Sequence, residues 1–366
     1  MVYNSKIKVG ISHGDINGIG YEVIIKTLAD SHILEMCTPI VYGSPKVAAY
    51  HRKALNMENV SFNHVRGAQE ASPNKANIIN CIDENIRVEL GKSTPSAGES
   101  SFLALEKAVS DLQKGLIDVL ITAPINKHNI QSEHFKFPGH TEYLCRQFNA
   151  EDCVMLMVSE NLRVGVATGH VPLSEVPRLL TKKKILSKLR IIQRSLIQDF
   201  AVTNPRIAVL SLNPHAGDNG LIGKEDQEII IPAIDQARDE GITALGPYPA
   251  DGFFGSGDYA RFDAVLAMYH DQGMVPFKLI SFDRGVNYTA GLSAVRTSPA
   301  HGTAYDIAGE DKASPDSFRE ALYLAIDIYK NRQIYREISH DPLKKFDINP
   351  NQVDENIDIE AEEDSL

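Results

Sequence analysis

The sequence predicts an α/β fold built on a mostly parallel sheet. Short apolar runs alternate with segments of helical period along most of the chain. Three of these runs end alike: Leu162-Arg-Val-Gly-Val-Ala-Thr-Gly-His170, Arg206-Ile-Ala-Val-Leu-Ser-Leu-Asn-Pro-His215 and Phe262-Asp-Ala-Val-Leu-Ala-Met-Tyr-His270. Each delivers a histidine just past the C-terminal end of a predicted strand, the edge where open α/β sheets bind ligands. At 366 residues the chain has the length of about two domains.

In order, Lys6–Ile11 reads as the first strand, followed by the loop Ser12-His-Gly14-Asp15-Ile-Asn-Gly18-Ile-Gly20 and a helix from Tyr21 to Ala29. Strand, glycine loop and helix can present N–H groups to an anion. The spacing fits neither GxGxxG nor GxxxxGK[ST], and a tight turn explains it equally well. Gly91-Lys92-Ser93 imitates the end of a P-loop, but Ile86 stands where the earlier glycine is required. Pro39–Gly43 is a second strand, with a helix after Ser44-Pro45. Residues 62–95 are polar and patternless.

Glu99–Lys114 is a helix, with Phe102, Leu105, Val109 and Leu112 on one face and Gly115 to end it. Leu116–Thr122 is a strand leading into Pro124-Ile-Asn126-Lys127-His128, and a helix is expected after the turn Phe137–Glu142. Val154–Val158 and Val164–Ala167 flank Ser159-Glu160-Asn161, which predicts a hairpin and some antiparallel sheet. A long helix follows His170, with Ile185, Leu189, Ile192 and Leu196 inward and Lys182, Lys183, Lys184 and Lys188 in water. Another runs from Glu225, bent at Pro232 and closed by Gly241. Residues 246–258 read as turn-rich. The last helix starts at Ser314-Pro315, with Phe318, Leu322, Ile326 and Tyr329 on one face.

Hydrophobic content of 43% and charged content of 23% are ordinary for a globular protein. The net charge is −11, and seven acidic residues fall between Asp354 and Asp364. That terminal stretch has no aromatic residue and is expected to be disordered. The mildly acidic remainder argues against a nucleic-acid or anionic-membrane surface. No apolar run reaches membrane-spanning length, and the start Met-Val-Tyr-Asn-Ser-Lys lacks a signal-peptide core, so a cytoplasmic location is expected. Cys37, Cys81, Cys145 and Cys153 form no CxxC pair and are expected to be buried free thiols.

A single strand-end histidine is usually a hydrogen-bonded structural residue; three in matching context can form a three-imidazole metal site with positions left for substrate or water. Asp251 and Asp271 are candidate further ligands, carboxylates orienting the ligands, or a general base. Lys278, Arg284, Asn287 and Arg296 lie within a short glycine-containing span. They are either surface charge or an anion pocket in which Arg296 binds phosphate or carboxylate in bidentate fashion. His140-Thr141 is either a helix cap or a further pair of donors.

As an ordered set, Gly139-His-Thr-Glu142, Gly169-His-Val-Pro-Leu173, Leu212-Asn-Pro-His-Ala-Gly217, Tyr269-His-Asp-Gln-Gly273, Lys278, Arg284-Gly-Val-Asn287, Arg296-Thr-Ser298 and His301-Gly-Thr-Ala304 resemble the 4-hydroxythreonine-4-phosphate dehydrogenase family, NAD-dependent enzymes of pyridoxal phosphate biosynthesis. The resemblance runs from the first strand to about residue 335 and excludes the acidic end. The first loop departs from it: the family more often has Glu-Pro-Ala after the first glycine and proline after the last, so the loop's role is open.

The resemblance implies two α/β/α domains with a cleft between them, as in isocitrate and isopropylmalate dehydrogenases. Residues 1–138 with 300–340 would form one domain; residues 139–299 would form the other, with the metal ligands and dimer contacts. It implies that His170, His215 and His270 bind one divalent cation (zinc, magnesium or cobalt) in a site shared across a homodimer. Substrate contacts carry over to His140, Thr141, Lys278, Asn287 and Arg296. The segment from His301 through Gly302, Thr303, Ala304 and Asp306 to Gly309 is similar to the cofactor loop of isopropylmalate dehydrogenase, which binds NAD without a Rossmann fingerprint. Lys278, Asp251 and Asp271 are the candidates for the base. The expected partner is a phosphorylated small molecule. Three rivals stand beside this reading: a sister dehydrogenase of a sugar-acid phosphate such as threonate 4-phosphate, a metal-dependent hydrolase or aldolase that would not need the His301–Gly309 loop, and a non-catalytic metal-binding or assembly protein, which would leave the cationic pocket and the cofactor-like loop unexplained.

Overall fold

The computed structural model describes residues 6–83 and 85–341; the acidic end predicted to be disordered lies outside them. Within the described residues, the strands are β1 (Ile7–Ser12), β2 (Cys37–Gly43), β3 (Asn63–Val65), β4 (Asn77–Asn80), β5 (Val119–Thr122), β6 (Val154–Val158), β7 (Arg163–Val166), β8 (Arg206–Leu210), β9 (Thr243–Tyr248), β10 (Ala264–Ala267), β11 (Val286–Ala290) and β12 (Val295–Pro299). They form one sheet in the order β3-β4-β2-β1-β5-β12-β11-β6-β7-β10-β8-β9. The run from β3 to β12 is parallel, and so is the run from β7 to β9. Antiparallel pairs β12–β11, β11–β6 and β6–β7 join the two runs, and the last of them is the predicted hairpin.

Strand alternation sorts the core into layers. Val9, Ile11, Val41, Val119, Ile121, Ile207, Val209 and Leu266 face one continuous cluster, covered by the helices Gly20–Leu28, Lys182–Gln198, Ile231–Asp239 and Asp316–His340. The other face carries two separate clusters. Ile40, Tyr42 and Leu120 pack under the helices Pro95–Gln113 and His140–Gln147. Val164, Val166, Ala208, Leu210 and Val265 pack under Ala250–Gly255 and His270–Ser281. The α/β reading therefore holds, with helices on both faces. The gap between the two smaller clusters is where the site lies.

Local chemistry sets the helix starts. The hydroxyls of Thr94 and Thr181 accept from the N–H groups of Ala97 and Lys184 at 3.3 and 3.2 Å, and Pro95 occupies the first turn of its helix. Residues 246–258, expected to be turns, instead hold the end of β9 and a short helix, and the patternless 62–95 stretch contributes β3 and β4. Lys188, expected in water, is buried: its Nζ meets Asp152 Oδ1 at 2.5 Å and the Cys153 carbonyl at 2.7 Å. No helix among the described residues is long and apolar enough to cross a membrane.

Candidate active site

The central strands put polar side chains where a hydrophobic core would otherwise continue. Val295 and Thr297 of β12 are buried on the face of the continuous core, so alternation turns Arg296 and Ser298 to the other face. Asn287 of β11 pairs in register with Ser298 and with Met157 of β6. Above this strip opens a cavity of about 260 Å³. Its walls include Lys127, His140 and Thr141, with His170 after β7, His270 and Lys278 from the helix after β10, and His301 and Gly302 after β12. A larger cavity, about 690 Å³, lies by the β6–β7 turn and the final helix. It mixes Glu160, Asp283, Glu320 and Asp327 with Arg163 and Arg284. Arg284, expected beside Lys278, Asn287 and Arg296 in an anion pocket, therefore lies apart from them, because the end of the helix after β10 carries it to the other cavity.

Arg296 dominates the floor. It is 2% exposed, yet among the described residues its guanidinium hydrogen-bonds only to hydroxyls: Nε and Nη2 donate to Thr122 Oγ1 at 3.1 and 2.5 Å, and Nη1 to Thr289 Oγ1 at 3.1 Å. Burial pulls its pKa down to about 9, against the attraction of Glu142. Burial, with Arg296 and Lys127 nearby, drives the His140 pKa well below the ordinary histidine value, so its ring is neutral at pH 7. Among the described residues, His140 Nε2, Asn287 Oδ1, Glu142 Oε2 and His301 Nε2 are all buried without a hydrogen-bond partner. Such a concentration of unsatisfied groups around one buried cation is the signature of a site shaped for a polar, anionic ligand.

The strand-end histidines divide. β7 and β10 are parallel neighbours, so the loops that follow them meet, and the His170 and His270 rings lie with centroids 5.6 Å apart. His270 Nδ1 is 2.6 Å from Asp271 Oδ1, which leaves Nε2 free; Asp271 is itself exposed and outside the cavity lining. His170 Nε2 is 3.1 Å from Lys127 Nζ, and its Nδ1 is 3.7 Å from Glu142 Oε1. That contact with His170 holds the Glu142 carboxyl below its usual pKa.

His215 follows β8, the other neighbour of β10, but is exposed and does not line the cavity. It opens a run of left-handed residues, His215 to Asn219, of which Gly217 alone is a glycine. That conformation costs roughly 1–2 kcal/mol per non-glycine residue. The buried Asp226 anchors its approach by accepting from the Leu212 and Asn213 N–H groups at 2.8 and 3.1 Å. No group of three or more His, Cys, Asp or Glu among the described residues of this one chain could hold an ion. Asp251 is also exposed and outside the cavity.

The loop after β12 begins in the cavity and leaves it. Burial lowers the His301 pKa. A Cβ on Gly302 would meet nothing within 4 Å, and Ala304 is left-handed at φ 43°. Thr303, Ala304 and Asp306 lie outside the cavity lining, and Asp306 is exposed. The glycine loop after β1 does not face the cavity. Residues 13–20 are all buried, and Ile19 N donates to the Thr303 carbonyl at 3.0 Å.

Lys127, Glu142, Thr122 and Thr289 are contributors that sequence reasoning passed over. Glu142 stood inside a motif already noted, and Thr122 ended a predicted strand; nothing in their spacing pointed to Arg296 or His170.

The profile of the family described as "Pyridoxal phosphate biosynthetic protein PdxA" matches residues 35–325. The chain is 56% identical over 342 residues, 93% of its length and 94% of the relative's, to the 4-hydroxythreonine-4-phosphate dehydrogenase of Bacteroides thetaiotaomicron. It is 39% identical, covering 87% and 97% of the two chains, to a protein of Oceanobacillus iheyensis named as a candidate D-threonate 4-phosphate dehydrogenase. Among solved structures, the 4-hydroxythreonine-4-phosphate dehydrogenase of Klebsiella pneumoniae superposes with a TM-score of 0.77 at 33% identity, over 89% of this chain and 100% of that one.

Proposed function

This chain belongs to the pyridoxal phosphate biosynthetic protein PdxA family, and from that premise we propose that it oxidises 4-hydroxy-L-threonine 4-phosphate with NAD and a divalent cation. The alcohol at C3 becomes a ketone β to the carboxylate, and loss of CO2 gives 3-amino-2-oxopropyl phosphate. The chain is an oxidoreductase by family. The observation that carries the substrate class is Arg296, a buried guanidinium with two hydroxyl partners and no ion-pair carboxylate among the described residues. A bound phosphate or carboxylate supplies the missing counter-charge. Lys127, Lys278, His140, Thr141 and Asn287 line the same cavity as further donors. Glu142 Oε2 and Asn287 Oδ1, both without donors, suit the ammonium and hydroxyl of the substrate.

The donor set fits a divalent cation in part within one chain. His170 and His270 offer ring nitrogens on adjacent loops, and Asp271 orients the second ring as carboxylates orient metal-binding histidines. His215 would come from the partner of a homodimer. The helix after β10, with the residue that caps its end, leaves Val275, Leu279 and Phe282 exposed at i, i+4 and i+7, an apolar stripe of the kind a partner covers. Zinc, cobalt or magnesium held there would lower the pKa of the substrate hydroxyl. Lys278, which lines the cavity, is better placed than Asp251 or Asp271 to take the hydroxyl proton at Nζ. His301, with its unpartnered Nε2, and the open backbone at Gly302 fit the entry of a dinucleotide loop running to Asp306.

The 39% identical relative keeps a second substrate in view, D-threonate 4-phosphate, in which a hydroxyl replaces the amine. An absorbance assay for NADH with both phosphates, with and without a chelator, separates the readings. Turnover of hydroxythreonine phosphate that chelation abolishes is expected. Turnover of threonate phosphate alone would move the chain to the sister activity, and consumption of either substrate without NAD would end the dehydrogenase reading.

A further inference from the structure

The loop Gly14–Gly20, whose sequence departs from the usual family pattern, is tied to the His301–Gly309 loop by side chain and backbone. Tyr305 Oη donates to Asp15 Oδ2 at 2.7 Å across 290 positions of sequence. Asn129 Nδ2 donates to the same oxygen at 2.9 Å and lies 3.5 Å from Tyr305 Oη. Asp15 Oδ1 accepts from Asn17 N at 2.9 Å. Asp15 is fully buried and has no ion-pair partner among the described residues, so these donors are what make its burial tolerable. A few residues along, the backbones touch: a Cβ on Gly18 would stand 2.6 Å from the Thr303 carbonyl oxygen. The fastened tyrosine sits between the left-handed Ala304 and the exposed Asp306.

We propose that Asp15 is a positioning residue for the dinucleotide: through Tyr305 and Asn129 it holds the His301–Gly309 loop in the conformation that receives NAD. The inference rests on the assignment of that loop to NAD. Asp15 lies outside the cavity and touches no reacting atom. The left-handed backbone at Ala304 is a conformation a free loop would leave. Fastening Tyr305 to a carboxylate that needs its hydrogen bond keeps the loop from relaxing, so the dinucleotide meets an ordered surface rather than ordering one at its own expense.

The test is Tyr305→Phe beside Asp15→Asn, studied in the full-length chain. Calorimetric titration with NAD should show binding weakened about tenfold or more in Tyr305→Phe, the loss expected when a charge-assisted hydrogen bond is removed. KM for NAD should rise in step, while kcat at saturating NAD and KM for the phosphorylated substrate stay within about twofold. Amide exchange at residues 303–309 should quicken without NAD, a readout independent of turnover. If Asp15→Asn does not fold, Tyr305→Phe still decides the matter. Unchanged NAD affinity in Tyr305→Phe, with or without a lower Tm, overturns the proposal while leaving the loop's assignment intact. A wild-type chain that binds no NAD overturns the assignment itself, and the positioning role with it.

Discussion

If Arg296 binds the substrate anion as proposed, it trades stability for function. Its pKa of about 9, against an ordinary 12.5, means that the folded protein holds the charged form unwillingly. In the interval between those values the unfolded state binds more protons, so stability rises with pH there, and below about 9 the full penalty is present. Arg296→Met should therefore match or exceed the wild type in thermal stability at pH 7 by up to about 2 kcal/mol, with the advantage shrinking above pH 9. The same variant should raise KM for the phosphorylated substrate about a hundredfold. A destabilised variant with normal KM would make Arg296 a structural residue. Buried histidines act in the opposite pH range. Burial lowers the His13 pKa to about 3 and the His51 pKa to about 4. The unfolded chain takes up protons below pH 6.5 that the fold refuses, so stability falls as pH drops through that point. His51 alone should contribute about 1.4 kcal/mol per pH unit down to about pH 4. Urea unfolding at pH 7, 6 and 5 should show that slope removed in His51→Gln. Arg296 and His140 were legible as candidates in the sequence. Their burial, which gives them these properties, was not.

At the scale of elements, the site depends on close contact between segments that carry no chemistry. The helix Pro95–Gln113 passes so near the loop after β5 that a Cβ on Gly98 would collide with the Asn129 carbonyl. Gly98→Ala should cost about 1–3 kcal/mol in unfolding free energy. Because Asn129 also holds Asp15, NAD affinity should fall in the same variant. On the opposite side, the helix Lys182–Gln198 is pinned to the start of β6 by Lys188 and Asp152. Asp152 is a third exposed, so Lys188→Ala should lose about 2 kcal/mol, less than a fully buried pair would, measurable as a lower Tm. The apolar period placed this helix and its inward face from sequence. It could not place Lys188, because a lysine at the margin of an apolar stripe reads the same whether it meets water or a carboxylate from residue 152.

For the whole molecule, the decisive question is whether a site needs two chains. If His215 serves the site of its partner, His215→Ala and His270→Ala chains are each inactive alone. Their hybrid dimer keeps one intact site of two. Denaturing and refolding an equal mixture should then restore roughly a quarter of wild-type activity, since half of the dimers are hybrids. No recovery, with hybrids demonstrated by mass, would place all three histidines at the site of their own chain. Sequence by itself determined the α/β class, the β6–β7 hairpin and the strand-end placement of His170 and His270, because these follow from local period and from where an apolar run stops. Only the tertiary structure decided that β11 and β6 run antiparallel through the centre of a single sheet, that two cores part to leave a polar strip, and that Arg296 lies beneath it with no ion-pair carboxylate among the described residues. Those are contacts between residues tens to hundreds of positions apart, and no local pattern encodes which distant segment becomes a neighbour.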